Sequence, residues 1–356
     1  MSDPSSLGRL ELGFLVFLDH AGDAGALGAL TAGLELFQVA DELGYDSGWV
    51  RVRHHERTLS APFPFLAAAG ARTTGIRLGT AVIPLGYEDT LRFAEDAATT
   101  DLLTGGRLEI GVSSGLGDRS SADAEAHARL LTEQLERLPA ALRGEPLGEP
   151  YVSRLAPAAA SGGSADPATG PVRDSFDPVA YPTSPGLADR LWYGSGSTSS
   201  ALRAAALGYD LIVSTLNGEA TGPTLGDTQA DQIARYREAF AKAHPERTPR
   251  VAVSRSFLPI VGADDERAFR PLADRYADLV DESGRMRGAP PHLQWSKLLS
   301  GDPADIAAQI DADPAVALAD TVLLNPVTEL DTIQKIRVLT TVRNDVAPLL
   351  ARKDRP

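Results

Sequence analysis

The sequence of 356 residues contains no cysteine, which excludes disulfide bonds, thiolate metal sites and cysteine nucleophiles. Basic residues are also scarce relative to acidic ones, because 34 Lys and Arg stand against 48 Asp and Glu, for a formal net charge of −14. Nucleic acids and anionic membrane surfaces attract basic proteins, so neither is an expected partner. A reducing, cytoplasmic location fits the lack of cysteine.

Long apolar runs are lacking as well. No run exceeds the length of a core strand or core helix, so no membrane-spanning segment is predicted. Residues Met1–Pro4 do not combine a basic region with a following apolar run, and no targeting segment is expected. The composition that remains, with 43% hydrophobic and 23% charged residues, is typical of a globular chain that buries a large core.

Short apolar runs alternate with segments whose apolar residues recur at helical spacing, which predicts parallel strands joined by helices. Strands are predicted at residues 12–17, 47–50, 76–83, 107–112, 190–193, 211–214, 251–260 and 321–324. Helices are predicted at residues 27–43, 63–71, 91–103, 122–142, 199–207, 229–243 and about 330–350. Eight strands that alternate with helices favour an α/β fold of the closed (β/α)8 type, formed by a single domain over residues 1–356. A doubly wound open sheet is the alternative.

Two irregular insertions, near residues 150–189 and 281–302, interrupt this alternation. Thirteen of the fifteen residues from Pro157 to Pro171 are Pro, Gly, Ser or Ala, which is typical of a surface loop, with a lid over the barrel mouth as the alternative. The second insertion contains Gly284, Gly288 and Trp295. Long irregular segments are often functional, so a lid over the barrel mouth and a plain excursion are both compatible with this second stretch.

Active sites of (β/α)8 barrels lie at the carboxyl ends of the strands. The second strand runs into His54 and His55. Adjacent residues of an extended segment point to opposite sides, so one histidine is expected to face the mouth and the other to face away. An imidazole suits proton transfer near neutral pH, with a structural role as the alternative. Glu95, Asp96 and Asp101 fall on a helix, where a solvated or salt-bridge role is expected.

A Gly- and Ser-rich turn, residues 194–200, follows the fifth strand and begins a helix. A helix start offers unpaired N–H groups and a positive dipole end, a combination that binds phosphate; a simple N-cap is the alternative. Neither the Walker loop nor the dinucleotide fingerprint is present. Ser113 and Ser114 form a second hydroxyl-rich turn. The small residues at 79–82 would let a planar ligand lie against the backbone, with close strand–helix packing as the alternative.

Taken together, these motifs resemble the bacterial luciferase-like flavin-dependent monooxygenase family. The segments that carry the resemblance are Trp49–His55, Phe63–Thr73, Ile76–Val82, Ala94–Asp96, Asp101–Leu103, Gly106–Leu108 with Gly111, the turn before Ala204–Gly208, and Gly301–Pro303. Each motif alone is loose, but their order and spacing together are specific.

The resemblance implies a luciferase-like TIM barrel that binds FMN. By position, Ser195, Gly196, Ser197 and Thr198 would hold the phosphate. His54 matches the family's catalytic histidine, which assists proton movement.

The same resemblance places Thr80, Ala81 and Val82 beside the isoalloxazine ring, with a non-proline cis peptide expected at Ala81–Val82. Ser113 and Ser114 are also expected to contact the cofactor.

Three positions depart from the family pattern. Arg53 stands where an acidic residue is common, Ser113 where luciferases place a cysteine near the flavin, and Ser114 where they place a phosphate-contacting arginine. Light emission is therefore not expected.

The function that the resemblance implies is an FMN-dependent oxidoreductase, foremost a monooxygenase that acts on a small organic substrate with oxygen. Reduced FMN would come from a separate reductase, and a homodimer is expected. A deazaflavin-dependent hydride-transfer enzyme is one alternative. A non-catalytic flavin-binding protein is another, because Arg53 and Ser114 depart from the family pattern. No metal site is expected.

Overall fold

The computed structural model of the chain describes residues 10–20, 25–114, 124–147 and 178–350. The Pro-, Gly-, Ser- and Ala-rich stretch at residues 157–171, and with it most of the predicted insertion near 150–189, lies outside the described residues.

Within the described residues, twelve strands are present, most of which coincide with apolar runs of the sequence. The strands are β1 (Glu11–Val16), β2 (Ser47–Val50), β3 (Arg77–Thr80), β4 (Ile83–Pro84), β5 (Leu108–Ser113), β6 (Leu191–Ser195), β7 (Asp210–Val213), β8 (Leu216–Asn217), β9 (Val251–Pro259), β10 (Gln294–Trp295), β11 (Leu298–Gly301) and β12 (Thr321–Pro326).

Eight of these strands form a closed ring, because β12 pairs with both β1 and β9. The order is β1-β2-β3-β5-β6-β7-β9-β12, and every pairing in the ring is parallel. The predicted (β/α)8 barrel is thus confirmed, and the open-sheet alternative is wrong.

Helices connect the strands and cover the outside of the ring. They are α1 (Gly25–Glu42), α2 (Pro62–Gly70), α3 (Thr90–Leu103), α4 (Ala124–Leu142), α5 (Thr198–Leu207), α6 (Leu225–Ala243), α7 (Gly262–Leu279), α8 (Pro303–Asp311), α9 (Pro314–Ala317) and α10 (Thr332–Thr341). Among the described helices, none combines the length and apolarity needed to cross a bilayer.

Several predicted elements differ from the observed ones. The strand predicted at 76–83 is divided into β3 and β4 by a cis peptide bond between Ala81 and Val82. The helix predicted to about residue 350 ends at Thr341 and is followed by a π-helical turn, Val342–Val346. No helix was predicted at the position of α7, although its acidic first turn is typical of a helix start.

The prediction that residues 281–302 are irregular is wrong in part. Strand β10 pairs antiparallel with β8, and β11 adds a parallel strand to β9 outside the ring. Gln294 anchors the stretch, because its side-chain amide donates to the carbonyl oxygens of Gly222 and Ser283 and accepts from the hydroxyl of Thr228. Strands of two and four residues are too short to show a periodicity of two, which explains why the pattern missed them.

The inside of the barrel holds an apolar cluster separate from the main core between strands and helices. Trp49 and Trp192 meet edge to face, with ring centroids 5.5 Å apart. Glycine at position 79 makes room for the first indole, because a Cβ there would lie 2.2 Å from Cε3 of Trp49. The two indoles therefore form the centre of the barrel and support whatever lies above them.

Charged residues close the amino-terminal end of the barrel. Arg250 donates to Oε1 of Glu109 at 2.9 Å and to Oδ2 of Asp210 at 2.7 Å, and the indole N–H of Trp192 donates to Glu109 at 2.6 Å. Burial alone would lower the pKa of Arg250, but the two carboxylates raise it above its ordinary value. This buried network fixes Trp192 from below.

We expect Gly111→Ala to destabilise the fold, because a Cβ at that position would lie 2.1 Å from the carbonyl oxygen of Thr80, a backbone atom that cannot rotate away. The expected loss in the free energy of unfolding is about 1–3 kcal/mol, measured by urea denaturation. Gly75→Ala is the matched control: its nearest contact, Asp41 Oδ1, lies at 3.5 Å, and a change within about 0.5 kcal/mol is expected. Equal stability of the two variants would contradict the close β3–β5 approach.

Candidate functional site

An apolar floor lies at the carboxyl end of the barrel, above the two indoles. Ala81 and Val82 pack on the cluster that contains Trp49 and Trp192. The peptide bond between Ala81 and Val82 is cis, as the resemblance led us to expect. Glycine at position 194 lets Val82 lie across β6, because a Cβ there would be 2.8 Å from Val82 Cγ1. The surface above the indoles is therefore apolar.

Thr80 is placed differently from what a flavin contact through its side chain would need. The residue is fully buried. Its hydroxyl donates to the carbonyl oxygen of Gly111 at 2.9 Å and accepts from the Gly111 amide at 2.9 Å. Thr80 therefore joins β3 to β5 beneath the floor.

His54 and His55 lie in a bent segment after β2. His55 has a φ of 63°, so the expectation that the two side chains alternate as in an extended strand is wrong. Both rings instead contact Tyr87: His54 is stacked with centroids 4.5 Å apart, and His55 lies edge-on at 5.4 Å. Tyr87 belongs to the 3-10 turn after β4, so this cluster joins the ends of the second and third barrel strands.

Glu88 is the carboxylate nearest to the His54 ring. Its Oε1 lies 4.0 Å from His54 Nε2, which is beyond hydrogen-bonding distance. The Nε2 atom is buried and has no hydrogen-bond partner among the described residues. Burial, and then the charge of His55, lowers the pKa of His54, while burial and the charge of Asp96 raise the pKa of Glu88. His54 is therefore neutral near pH 7.

The predicted phosphate turn begins α5 in a closely hydrogen-bonded form. Ser197 is the N-cap, and its hydroxyl accepts from the Ser200 amide while the Ser200 hydroxyl accepts from the Ser197 amide. The Ser195 hydroxyl lies 2.7 Å from that of Ser200. Space is open beside Gly196, where a Cβ would find its nearest neighbour at 3.9 Å. The turn thus has the N-cap role, and open space lies beside Gly196.

A carboxylate already lies at this helix start. The Thr198 amide donates to Oε2 of Glu219 at 2.8 Å. Glu219 follows β8, and the neighbouring Gly218 amide donates to the Gly196 carbonyl oxygen at 2.7 Å. A negative side chain is favourable at the positive end of a helix, and it lies where an anionic ligand would bind.

The remaining predicted site residues lie at the rim. Ser113 ends β5 and is the register partner of Pro84, and Ser114 follows it as a partly buried residue. Arg53 lies 3.8 Å from Glu56 in an exposed ion pair.

The acidic residues of α3 have the salt-bridge role expected for them. Arg92 pairs with Glu95 and Asp96, and Asp101 is buried against Arg190 at 2.8 Å. In the described parts of the chain, no group of three or more potential ligands could hold a metal ion.

Four polar residues of the barrel were not predicted as site residues: Arg51, Glu219, Ser254 and Asn325. Ser254 and Asn325 each carry a buried oxygen without a hydrogen-bond partner among the described residues. Their signal was the strand alternation itself, because polar residues two positions beyond inward apolar ones share the inward face. Glu219 had no such signal, since its position depends on the short β8 strand.

The barrel mouth thus has an apolar floor, a helix start with small hydroxyl residues and a neutral imidazole. Along the ring, β2, which leads to His54, and β6, which leads to the helix start, are three strands apart. Such a mouth can bind a planar ligand with a polar tail and place a proton-transferring group beside it.

Comparison with known proteins gives short sequence matches to two bacterial monooxygenases. The chain is 40% identical over 110 residues to 4-hydroxyprotoasukamycin monooxygenase from Streptomyces nodosus subsp. asukaensis, which is 30% of this chain and 29% of that protein. It is 36% identical over 84 residues to the oxygenase component of flavin-dependent trigonelline monooxygenase from Acinetobacter baylyi, 23% of each chain. The matched segments thus span less than a third of these relatives.

The fold comparison extends over nearly the whole chain. The oxygenating constituent of 3,6-diketocamphane monooxygenase from Pseudomonas putida, solved with FMN, superimposes with a TM-score of 0.71 at 16% identity, covering 98% of this chain and 100% of that one. The luciferase-like monooxygenase family matches residues 10–328. This match covers most of the sequence and includes the floor, the histidine cluster and the start of α5, and the chain belongs to the luciferase-like monooxygenase family.

Proposed function

We propose that the protein is an FMN-dependent monooxygenase that takes reduced FMN from a separate reductase and acts on a small organic substrate. The observation that carries the proposal is the apolar floor at Ala81–Val82, bordered by a hydroxyl-rich helix start and a neutral imidazole. Both curated relatives described above are named as monooxygenases, and one is the oxygenase component of a flavin-dependent system.

The residues of the mouth fit a flavin. A tricyclic ring needs an apolar surface, which Ala81 and Val82 provide. A phosphate is favoured at a helix N-terminus with open space beside it, as at Gly196 and the first turn of α5, where it would displace Glu219 from the Thr198 amide. FMN supplies the redox chemistry with oxygen when bound, and the protein supplies binding, orientation and proton transfer.

His54 is the proposed proton-transferring residue. Its unpartnered Nε2 accepts a proton when the ring is neutral, and the ring is held in place by its stack on Tyr87. Because burial keeps the ring neutral, entry of water at the mouth would change its pKa and its ability to accept a proton.

The decisive experiment is a titration of the purified protein with FMN, reduced FMN and the deazaflavin cofactor, followed by fluorescence and calorimetry. We expect saturable binding of reduced FMN and oxygen consumption when a flavin reductase is added. Preference for the deazaflavin would favour the hydride-transfer alternative. Flavin binding without turnover of any candidate substrate would favour a non-catalytic flavin-binding protein. Absence of binding by all three compounds would remove the flavin proposal. Size-exclusion chromatography with light scattering tests the proposed homodimer.

We expect His54→Ala to lower turnover by a factor on the order of 10² while the unfolding midpoint changes little, because the side chain lies at the rim. His54→Phe, which keeps an aromatic ring against Tyr87, is the control for packing. A wild-type rate in both variants would exclude a role in proton transfer.

The pKa of His54 is expected below its ordinary value of 6.5, measured by NMR titration of the ring. His55→Asn, which tolerates the left-handed φ, should raise it by removing a neighbouring positive charge. Since the folded state resists protonation of His54, the unfolded state binds more protons once the pH falls below 6.5, and stability decreases there. An unchanged pKa in His55→Asn would contradict the proposed coupling.

Glu219→Gln should tighten FMN binding about fivefold, because it removes a negative charge from the helix start where the phosphate is proposed to lie. Riboflavin, which lacks the phosphate, is the matched control ligand and should bind both proteins equally. If the substitution changes FMN and riboflavin affinities alike, the phosphate does not lie at α5.

A further inference from the structure

We propose that the barrel mouth contains a second subsite, beside the flavin floor, in which Arg51 binds the carboxylate of a substrate that is an organic acid with an apolar body. This inference rests on the proposed monooxygenase function and names the class of substrate for the same mouth.

Arg51 is positioned inside the mouth by the register of β2. Trp49 belongs to the cluster inside the barrel, and side chains two residues apart along a strand share a face. The ladder continues past the end of β2, because the Arg51 amide donates to the Val16 carbonyl oxygen at 3.0 Å. Arg51 is therefore the next inward side chain above Trp49.

The guanidinium of Arg51 is partly buried and lacks an ion-pair partner among the described residues. In the part of the chain that the structure describes, it makes neither a hydrogen bond nor an ion pair, and the charged groups that act on it are Arg53 and Glu56. Glu56 lies within ion-pair distance of Arg53, at 3.8 Å. Burial, and then Arg53, lowers the pKa of Arg51 to about 10, so the group keeps its charge at neutral pH. A desolvated cation with free donors strongly favours an anionic ligand.

The direction of Arg51 separates this subsite from the flavin floor. Its guanidinium carbon lies 5.0 Å from the centre of the Phe17 ring, on the β1 side of β2, whereas Ala81 and Val82 follow β3 on the other side. Phe17 also contributes to a shallow surface depression at the ends of β1 and β12, next to Lys335. The Phe17 ring thus gives the Arg51 subsite an apolar wall.

Two further polar groups lie on the inward faces of β9 and β12. Ser254 is the register partner of Leu323, which lies inside the barrel, and Asn325 follows two residues later on β12. The Ser254 residue is 1% exposed, and its hydroxyl and the Asn325 side-chain oxygen have no hydrogen-bond partner among the described residues. Buried polar atoms are rarely left unsatisfied, so these two oxygens are open to a hydrogen bond from water or a ligand.

The test uses the full-length protein and three probe acids, benzoate, phenylacetate and octanoate, each compared with its neutral amide by calorimetry. We expect at least one acid to bind saturably and about tenfold more tightly than its amide. Arg51→Gln should remove that preference, while Arg51→Lys, which keeps the charge but loses the planar donor pair, should retain part of it. Circular dichroism checks that both variants are folded.

Arg57→Gln is the matched control, because Arg57 is an exposed arginine of the same segment; it should leave acid binding unchanged. Equal affinity for acids and amides, binding unaffected by Arg51→Gln, or no saturable binding of any of the three acids would overturn the subsite. Loss of FMN affinity in Arg51→Gln with acid binding retained would also overturn it, in favour of a flavin contact. Since acid binding is measured without flavin, a failure of the FMN titration would remove the proposed function and leave this result readable.

Discussion

The packing of two indole rings inside the barrel is the constraint on which the mouth depends. Trp49 occupies the space that a side chain at position 79 would need, and Trp192 is held from below by Glu109. Because these rings fill the barrel interior, Ala81 and Val82 lie above them as an apolar surface. The ligand-binding surface is therefore set by the volume of the layer beneath it and by glycine on the adjoining strands.

The ring of strands could be predicted from sequence because parallel strands buried on both faces appear as apolar runs separated by helical periodicity. The cis bond at Ala81–Val82 and the capped start at Ser197 followed from the family resemblance and the Gly–Ser pattern, and both are present. The bend at His55 was not predictable, since its positive φ depends on the tertiary path after β2.

The roles of residues that depend on short strands, or on the lack of a partner, could not be predicted from the sequence. Glu219 reaches the helix start only because β8 pairs with β10, a contact across more than seventy residues of chain. Arg51 is one of three arginines within residues 51–57, and the sequence does not show that its guanidinium lacks an ion-pair partner. Periodicity assigns a side chain to a face, but it does not reveal whether that side chain is satisfied there.

The attachment of Glu219 has a structural consequence for the excursion at residues 281–302. The backbone amide of Glu219 donates to Oδ1 of Asn217, and Asn217 is the register partner of Gln294. The Gly218 amide donates to the carbonyl oxygen of Gly196. Through β8 these bonds join the start of α5 to strand β10. That corner of the barrel rim and the stretch at residues 281–302 therefore form one hydrogen-bonded unit, although they are distant in sequence.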